Sequence, residues 1–96
     1  MNMATSVIKN QNLKFTQIQE NTDLNNLKEL GFYGCASGAT AETLLNSPTN
    51  TNFAMLVLKK STLTTQIITT AAALFIRTEA STGWQAWYRY QGTALL

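Results

Sequence analysis

Four runs in the second half of the chain, FAMLVLKK at 53–60, TTQIITTA at 64–71, LFIRTEA at 74–80 and WQAWYRY at 84–90, combine β-branched and aromatic residues and are separated by short polar breaks. Such side chains suit a pleated surface, and breaks as short as KSTL, AA and STG suffice for hairpin reversals. An antiparallel meander is expected. In FAMLVL both alternation classes are apolar, with Phe53, Met55 and Val57 in one and Ala54, Leu56 and Leu58 in the other. A strand of this kind is expected to be covered on both faces. Either the helix described next supplies the second cover, or a second copy of the chain does.

The first half is less regular. Residues 1–21 are polar, with isolated apolar positions at Val7, Ile8, Leu13, Phe15 and Ile18, and read as a leader or linker; LKFTQI can pair as a short strand where a partner edge exists. The folded domain is expected to span 22–96. TDLNNLKELG reads as a short helical turn, with Asp23 capping free backbone amides, Leu24, Leu27 and Leu30 on one side, and Gly31 ending it. FYGCA follows as a strand. In SGATAETLLNSP, Thr40 is the expected N-cap, Glu42 suits the positive end of a helix, Leu44 and Leu45 face inward, and Ser47-Pro48 stops it. The expected fold class is mainly β with one short helix, a small antiparallel meander or sandwich-like unit.

Composition narrows the function. A chain of 96 residues supports one hydrophobic core. Charged residues make up 12%, about half the usual share, and the formal charge is +2 with scattered lysines and arginines, so no field gathers phosphates and nucleic acid is not an expected partner. The longest apolar runs are far short of a membrane span. The start, MNMATSVIKNQNLK, lacks the apolar stretch of a secretory signal, and exit from the producing cell is expected by another route such as lysis. The single cysteine, Cys35, excludes an internal disulfide and reads as a small buried apolar residue. There is no histidine, and the acids Glu20, Asp23, Glu29, Glu42 and Glu79 form no carboxylate pair or calcium loop. No cofactor or metal is expected, and catalysis is the weakest candidate.

The aromatic cluster at 84–90 remains. A regular strand there would put Trp84, Ala86, Tyr88 and Tyr90 on one face and Gln85, Trp87 and Arg89 on the other. A bulge near Gly83 and Trp84 would bring both tryptophans to one side. Trp87 is expected to pack on FAMLVL as core, and Tyr33, Phe53, Met55 and Val57 are the other residues expected to be structural. Trp84 is open to either reading, as a packed ring or as an exposed face on which a sugar stacks. Gln66, Arg77, Arg89 and Gln91 are the candidates to hydrogen-bond sugar hydroxyls. For Arg77 a structural pairing with Glu79, or with a carboxylate from the first half, is the preferred alternative.

The order of these features resembles the pyocin-knob type of domain found near the distal ends of phage and prophage tail fibres. The resemblance rests on Asp23-Leu24-Asn25, Gly31 and Tyr33, Asn46 and Pro48, Gln66, Arg77, and Trp84 with Trp87, and covers roughly residues 22–90. Leu30 departs from it, standing where members often carry a proline. The stretch before Asp23 is shorter than a fibre shaft, which points to a fragment of a longer fibre or a truncated product. The resemblance implies a non-catalytic, trimeric knob on a virion tail fibre, released by lysis, whose partners are other fibre or tail proteins, its own copies and a bacterial surface polysaccharide. Two alternatives are a purely structural module that trimerises or caps a fibre, and a carbohydrate-binding domain of an extracellular enzyme.

Overall fold

The computed structural model describes residues 14–96. Seven strands form one sheet: β1 (Phe15–Gln17), β2 (Gly31–Cys35), β3 (Phe53–Lys60), β4 (Leu63–Thr69), β5 (Leu74–Ala80), β6 (Gly83–Trp84) and β7 (Tyr88–Tyr90). Strands β2 to β5 are the expected antiparallel meander, and β6 and β7 both pair with β5, also antiparallel. β1 is the exception: it lies parallel to β2, with Phe15 opposite Phe32. The stretch expected to be a leader or linker therefore enters the sheet from Phe15, and Ile18 joins the core. The rest of that stretch, 1–13, lies outside the described residues.

The fold is mainly β, with one helical turn, α1 (Gly38–Ala41), and a 3-10 turn at Leu24–Asn26. The α1 cap is Ser37, whose side chain accepts from the Thr40 backbone amide, and Thr40 lies within the helix. A hydroxyl three residues ahead of a free amide is the usual capping geometry, and Ser37 has the extended backbone it requires. At the 3-10 turn Asp23 caps as expected, accepting from Asn25 N at 2.9 Å. Leu44 packs against the core, but Leu45 is exposed: its backbone is engaged on both sides, by Leu24 N and Thr22 O, and this ladder turns its side chain outward.

The segments around α1 and the 3-10 turn lie over one face of the sheet. Under them Leu24, Tyr33, Cys35, Phe53, Met55, Val57 and Ile68 form the core, joined by Ile18 and Ala41. The opposite face of β3 has no cover within the described residues. Ala54 and Leu58 are exposed and Leu56 is half-buried, so the described residues supply only one of the two covers that the pattern calls for.

Gly31 fixes how β1 joins. Its φ is +154°, and a Cβ placed there would lie 2.8 Å from Lys14 O, the carbonyl that accepts from Phe32 N at 2.9 Å. A side chain would thus strain the backbone and displace the strand-forming contact together. Gly31→Ala is expected to lower stability by about 1–3 kcal/mol, with faster hydrogen exchange in Phe15–Gln17. A variant with unchanged melting and exchange would show that Lys14 yields freely.

Candidate functional site

Gln66 and Arg77 face each other across β4 and β5, on the covered side of the sheet. Both are buried, at 0% and 5% exposure. A buried amide and a buried cation each need partners. Gln66 Nε2 donates to Leu24 O at 2.7 Å and to Leu27 O at 2.9 Å, and its Oε1 accepts from Arg77 Nε at 2.9 Å. The Gln66 amide therefore closes the carbonyl end of the 3-10 turn onto the sheet. The preferred pairing of Arg77 with a carboxylate takes another form: Gln66 is its hydrogen-bond partner, while Asp23 and Glu79 act on it through their charge at longer range.

The two tryptophans complete the arrangement. The guanidinium carbon of Arg77 lies 4.1 Å from the Trp84 ring centroid and 4.5 Å from that of Trp87. Both rings reach it because the strand WQAWYRY is interrupted. β6 ends at Trp84, β7 starts at Tyr88, and in between Gln85 N still donates to Thr78 O at 3.0 Å. The break brings both tryptophans to one guanidinium, the outcome expected from a bulge rather than from strict alternation. Each indole N–H is also engaged, Trp84 Nε1 donating to Asn25 O at 3.2 Å and Trp87 Nε1 to Asn46 O at 2.9 Å. Asp23 joins the two loops so held, its Oδ1 accepting from Asn46 Nδ2 at 2.7 Å as well as from Asn25 N.

Electrostatics follow from this packing. Burial lowers the Arg77 guanidinium to about 10, partly opposed by the charges of Asp23 and Glu79, and it remains cationic at neutral pH. The electron-rich faces of two indoles stand where water would otherwise solvate it, an attraction of roughly 0.5–2 kcal/mol for each ring. Arg77 Nη2 and Asn25 Oδ1 are buried and have no hydrogen-bond partner among the described residues. The Asp23 carboxyl is held below the ordinary aspartate range, first by the Asn46 side-chain amide and then by Asn25 N. Glu79 is paired with Lys28 at 2.8 Å, a partly exposed contact of about 1 kcal/mol or less.

The candidate binding residues fall into two groups. Gln66, Arg77 and Trp84 belong to this interlocked cluster, and Trp87, expected in the core, packs against the core's edge while its ring closes the cluster. Arg89 and Gln91 are exposed, joined to each other by an Nη2 to Oε1 bond of 2.8 Å. Arg89 is opposite Phe75, on the same side of the sheet as Arg77. Tyr33, Phe53, Met55 and Val57 are buried as expected. Asn46 is the member whose role the sequence reading did not assign. Its place after a leucine pair and before Ser47-Pro48 was the available signal, and the structure adds a positive φ of 60°. Among the described residues no group of three or more Cys, Asp or Glu side chains gathers as a metal site, and no helix is long and apolar enough to cross a membrane.

Comparison with solved structures shows where this fold recurs. The chain superposes on an N-truncated R2-type pyocin tail fibre with a TM-score of 0.76 at 18% identity, covering 80% of this chain and 32% of that one. It matches the C-terminal part of the P. aeruginosa R2 pyocin fibre with the same score and identity, covering 22% of that chain. A third match, to the C-terminal part of the P. aeruginosa R1 pyocin fibre, has a TM-score of 0.74 at 15% identity and covers 21% of that chain. The resemblance seen in the sequence thus extends to the three-dimensional fold, and the chain spans a third or less of the fibre chains it matches. No family profile matches the chain, and no curated protein matches it in sequence.

Two predictions follow from the cluster. Gln66→Leu strands Leu24 O, Leu27 O and Arg77 Nε, and at about 1–3 kcal/mol for each buried group left unpaired it is expected to cost about 2–4 kcal/mol after relaxation. Chemical denaturation with tryptophan fluorescence reads both the loss and the disturbance of Trp84 and Trp87; parent-like stability would mean the amide is dispensable. The second concerns pH. A carboxyl with a depressed folded pKa contributes stability above its unfolded value and loses it as pH falls through the folded one. Acidification from about pH 6 to about pH 2.5, across the ordinary aspartate value, should therefore lower the melting temperature more in the parent than in Asp23→Asn, which keeps an acceptor oxygen but does not titrate. Equal drops would remove Asp23 from the account.

Proposed function

We propose that this chain is a knob module of a phage-tail or pyocin-type fibre, a non-catalytic homotrimer that attaches the particle to a polysaccharide on a bacterial surface. The observation that carries this reading is the shared fold: the knob-like sheet recurs in the C-terminal parts of R1 and R2 pyocin fibres. The chemistry of the chain supports it. Its surface is polar and weakly charged, and it has no histidine to act as a general base. As a fibre component it would act outside the producing cell after lysis, together with other tail proteins.

Attachment is assigned to the exposed edge around β7. Arg89 and Gln91 offer donors and an acceptor to sugar hydroxyls, and the half-exposed rings of Trp84 and Trp87 border the same side of the sheet. Each contact is modest, and three copies on one fibre would multiply them against a repeating glycan. A second reading is favoured by one observation: Gln66 and Arg77 are engaged internally, as a purely structural, fibre-capping module would have them.

Adsorption separates the two. The double variant Arg89→Ala with Gln91→Ala removes exposed groups only, and is expected to reduce binding to host cells or isolated surface polysaccharide at least tenfold without changing the melting temperature. Undiminished binding would place attachment elsewhere on the knob. Absence of binding by the parent to any bacterial polysaccharide would favour the capping module.

A further inference from the structure

The face of the sheet opposite the cluster is uncharged and mainly apolar. Strand register places Phe15, Phe32, Leu56, Ile67, Ile76 and Tyr88 in one row across six strands. A neighbouring row runs from Gln17 at the β1 edge through Gly34, Ala54, Thr69 and Leu74 to Tyr90. On the other side Leu58, Thr65 and Thr78 form a third. No charged side chain occurs in these three rows, and by alternation along β3 Lys60 closes the face at the strand end. Between the first two rows Phe32, Ala54, Leu56, Ile67 and Thr69 line a shallow hollow of about 250 Å³. Phe32 is 43% exposed and Tyr88 61%.

We propose that copies of this chain pack on one another through this face. Its size supports the assignment. Six strands about 4.8 Å apart, each contributing about 15–20 Å of length, give a plan area of roughly 400–500 Å², and more as accessible surface. That lies in the upper part of the range for the largest apolar patch on a monomer, a size often tied to function, and is about half or more of the roughly 800 Å² per partner of a stable interface. Its chemistry selects the occupant. A glycan would need amides, guanidinium groups or carboxylates interleaved with the rings, and the three rows offer threonine and tyrosine hydroxyls with the single amide of Gln17 at one edge. An identical sheet brings the same twist and the same absence of charge, so two such faces meet without desolvating an ion. The hollow beside Leu56 provides a place for a side chain of the opposing copy. Strand β3, apolar on both faces, then has both covers: its own loops on one side and another copy on the other. This deepens the fibre reading, which includes self-association, by naming the surface; its test makes no use of bacterial attachment.

The test is the mass of the full chain by light scattering at about 50 µM. The parent should be a small closed oligomer, whereas Leu56→Glu, which sets a carboxylate at the centre of the face, should be a folded monomer near 10.6 kDa with the parent's far-ultraviolet circular dichroism. Leu45→Glu, exposed on the segment that lies over the covered face, should keep the parent's mass. Where Leu56→Glu fails to fold, Tyr88→Glu asks the same question, since its ring is already mostly exposed on a three-residue edge strand. A monomeric parent, or a folded Leu56→Glu or Tyr88→Glu that keeps the oligomer's mass, overturns the proposal. Adsorption measured on the same variants stands apart: a parent that assembles through this face and adheres to no bacterium upholds the interface while refuting the attachment role.

Discussion

A single cation, Arg77, organises the covered half of the molecule. Placing a guanidinium within the protein is unfavourable unless its charge and its N–H groups are answered locally. The answer comes from three directions: Gln66 accepts from Nε, Trp84 and Trp87 stand over the faces, and Asp23 and Glu79 contribute negative potential. Each responder is fastened in turn to a loop, through Leu24, Leu27, Asn25 and Asn46 carbonyls. Solvating one buried charge therefore fixes the 3-10 turn, the turn after α1 and the β6–β7 break in a single arrangement. For a domain with one small core and no disulfide, this coupling does much of what a larger interior would do.

The same constraint makes the sheet two-faced. Polar side chains with long reach, Gln66 and Arg77, point to the side where loops can meet them, and alternation sends their neighbours Ile67 and Ile76 to the other side. No loop crosses to that second face among the described residues, because the connections that could do so are tied to the first by the cluster. An apolar rear surface is thus a consequence of how the front is held together. Strand pairing, loop placement and the exposed apolar face are linked through one register.

Much of the fold was legible because local patterns there are strong. FAMLVLKK and LFIRTEA form β3 and β5 with the bounds their composition gives, and short breaks made the hairpins readable. The β6–β7 interruption was visible only as an alternative, since what favours it is a tertiary contact: both rings gain more from Arg77 than from regular pairing. The α1 cap fell on Ser37 instead of Thr40 for a similar reason, a choice between two hydroxyls three residues apart that local sequence does not decide. Phe15–Gln17 looked like linker because three residues carry little periodicity, and its strand depends on a parallel edge supplied by β2. At the site, residue types were readable and their direction was not. Gln66 and Arg77 have the chemistry of sugar contacts, and burial turns that chemistry inward.

This inward turn bears on how such a module can diversify. Most of the residues on which the resemblance rests, Asp23, Asn25, Asn46, Gln66, Arg77, Trp84 and Trp87 among them, are linked to one another by hydrogen bonds or ring stacking. Changing Gln66, Arg77 or Trp84 leaves a buried or partly buried group without its partner, so these residues hold the scaffold and are poorly suited to retuning for a new surface. Exposed positions such as Arg89 and Gln91 carry no such obligation beyond the bond between them. A fold that recurs at 15–18% identity in pyocin fibres fits that division, with a small interlocked set specifying the architecture while the remaining surface is free to vary. On the proposed reading, specificity for a bacterial surface then resides mainly in positions that the resemblance does not include, with the half-exposed rings of Trp84 and Trp87 at their border.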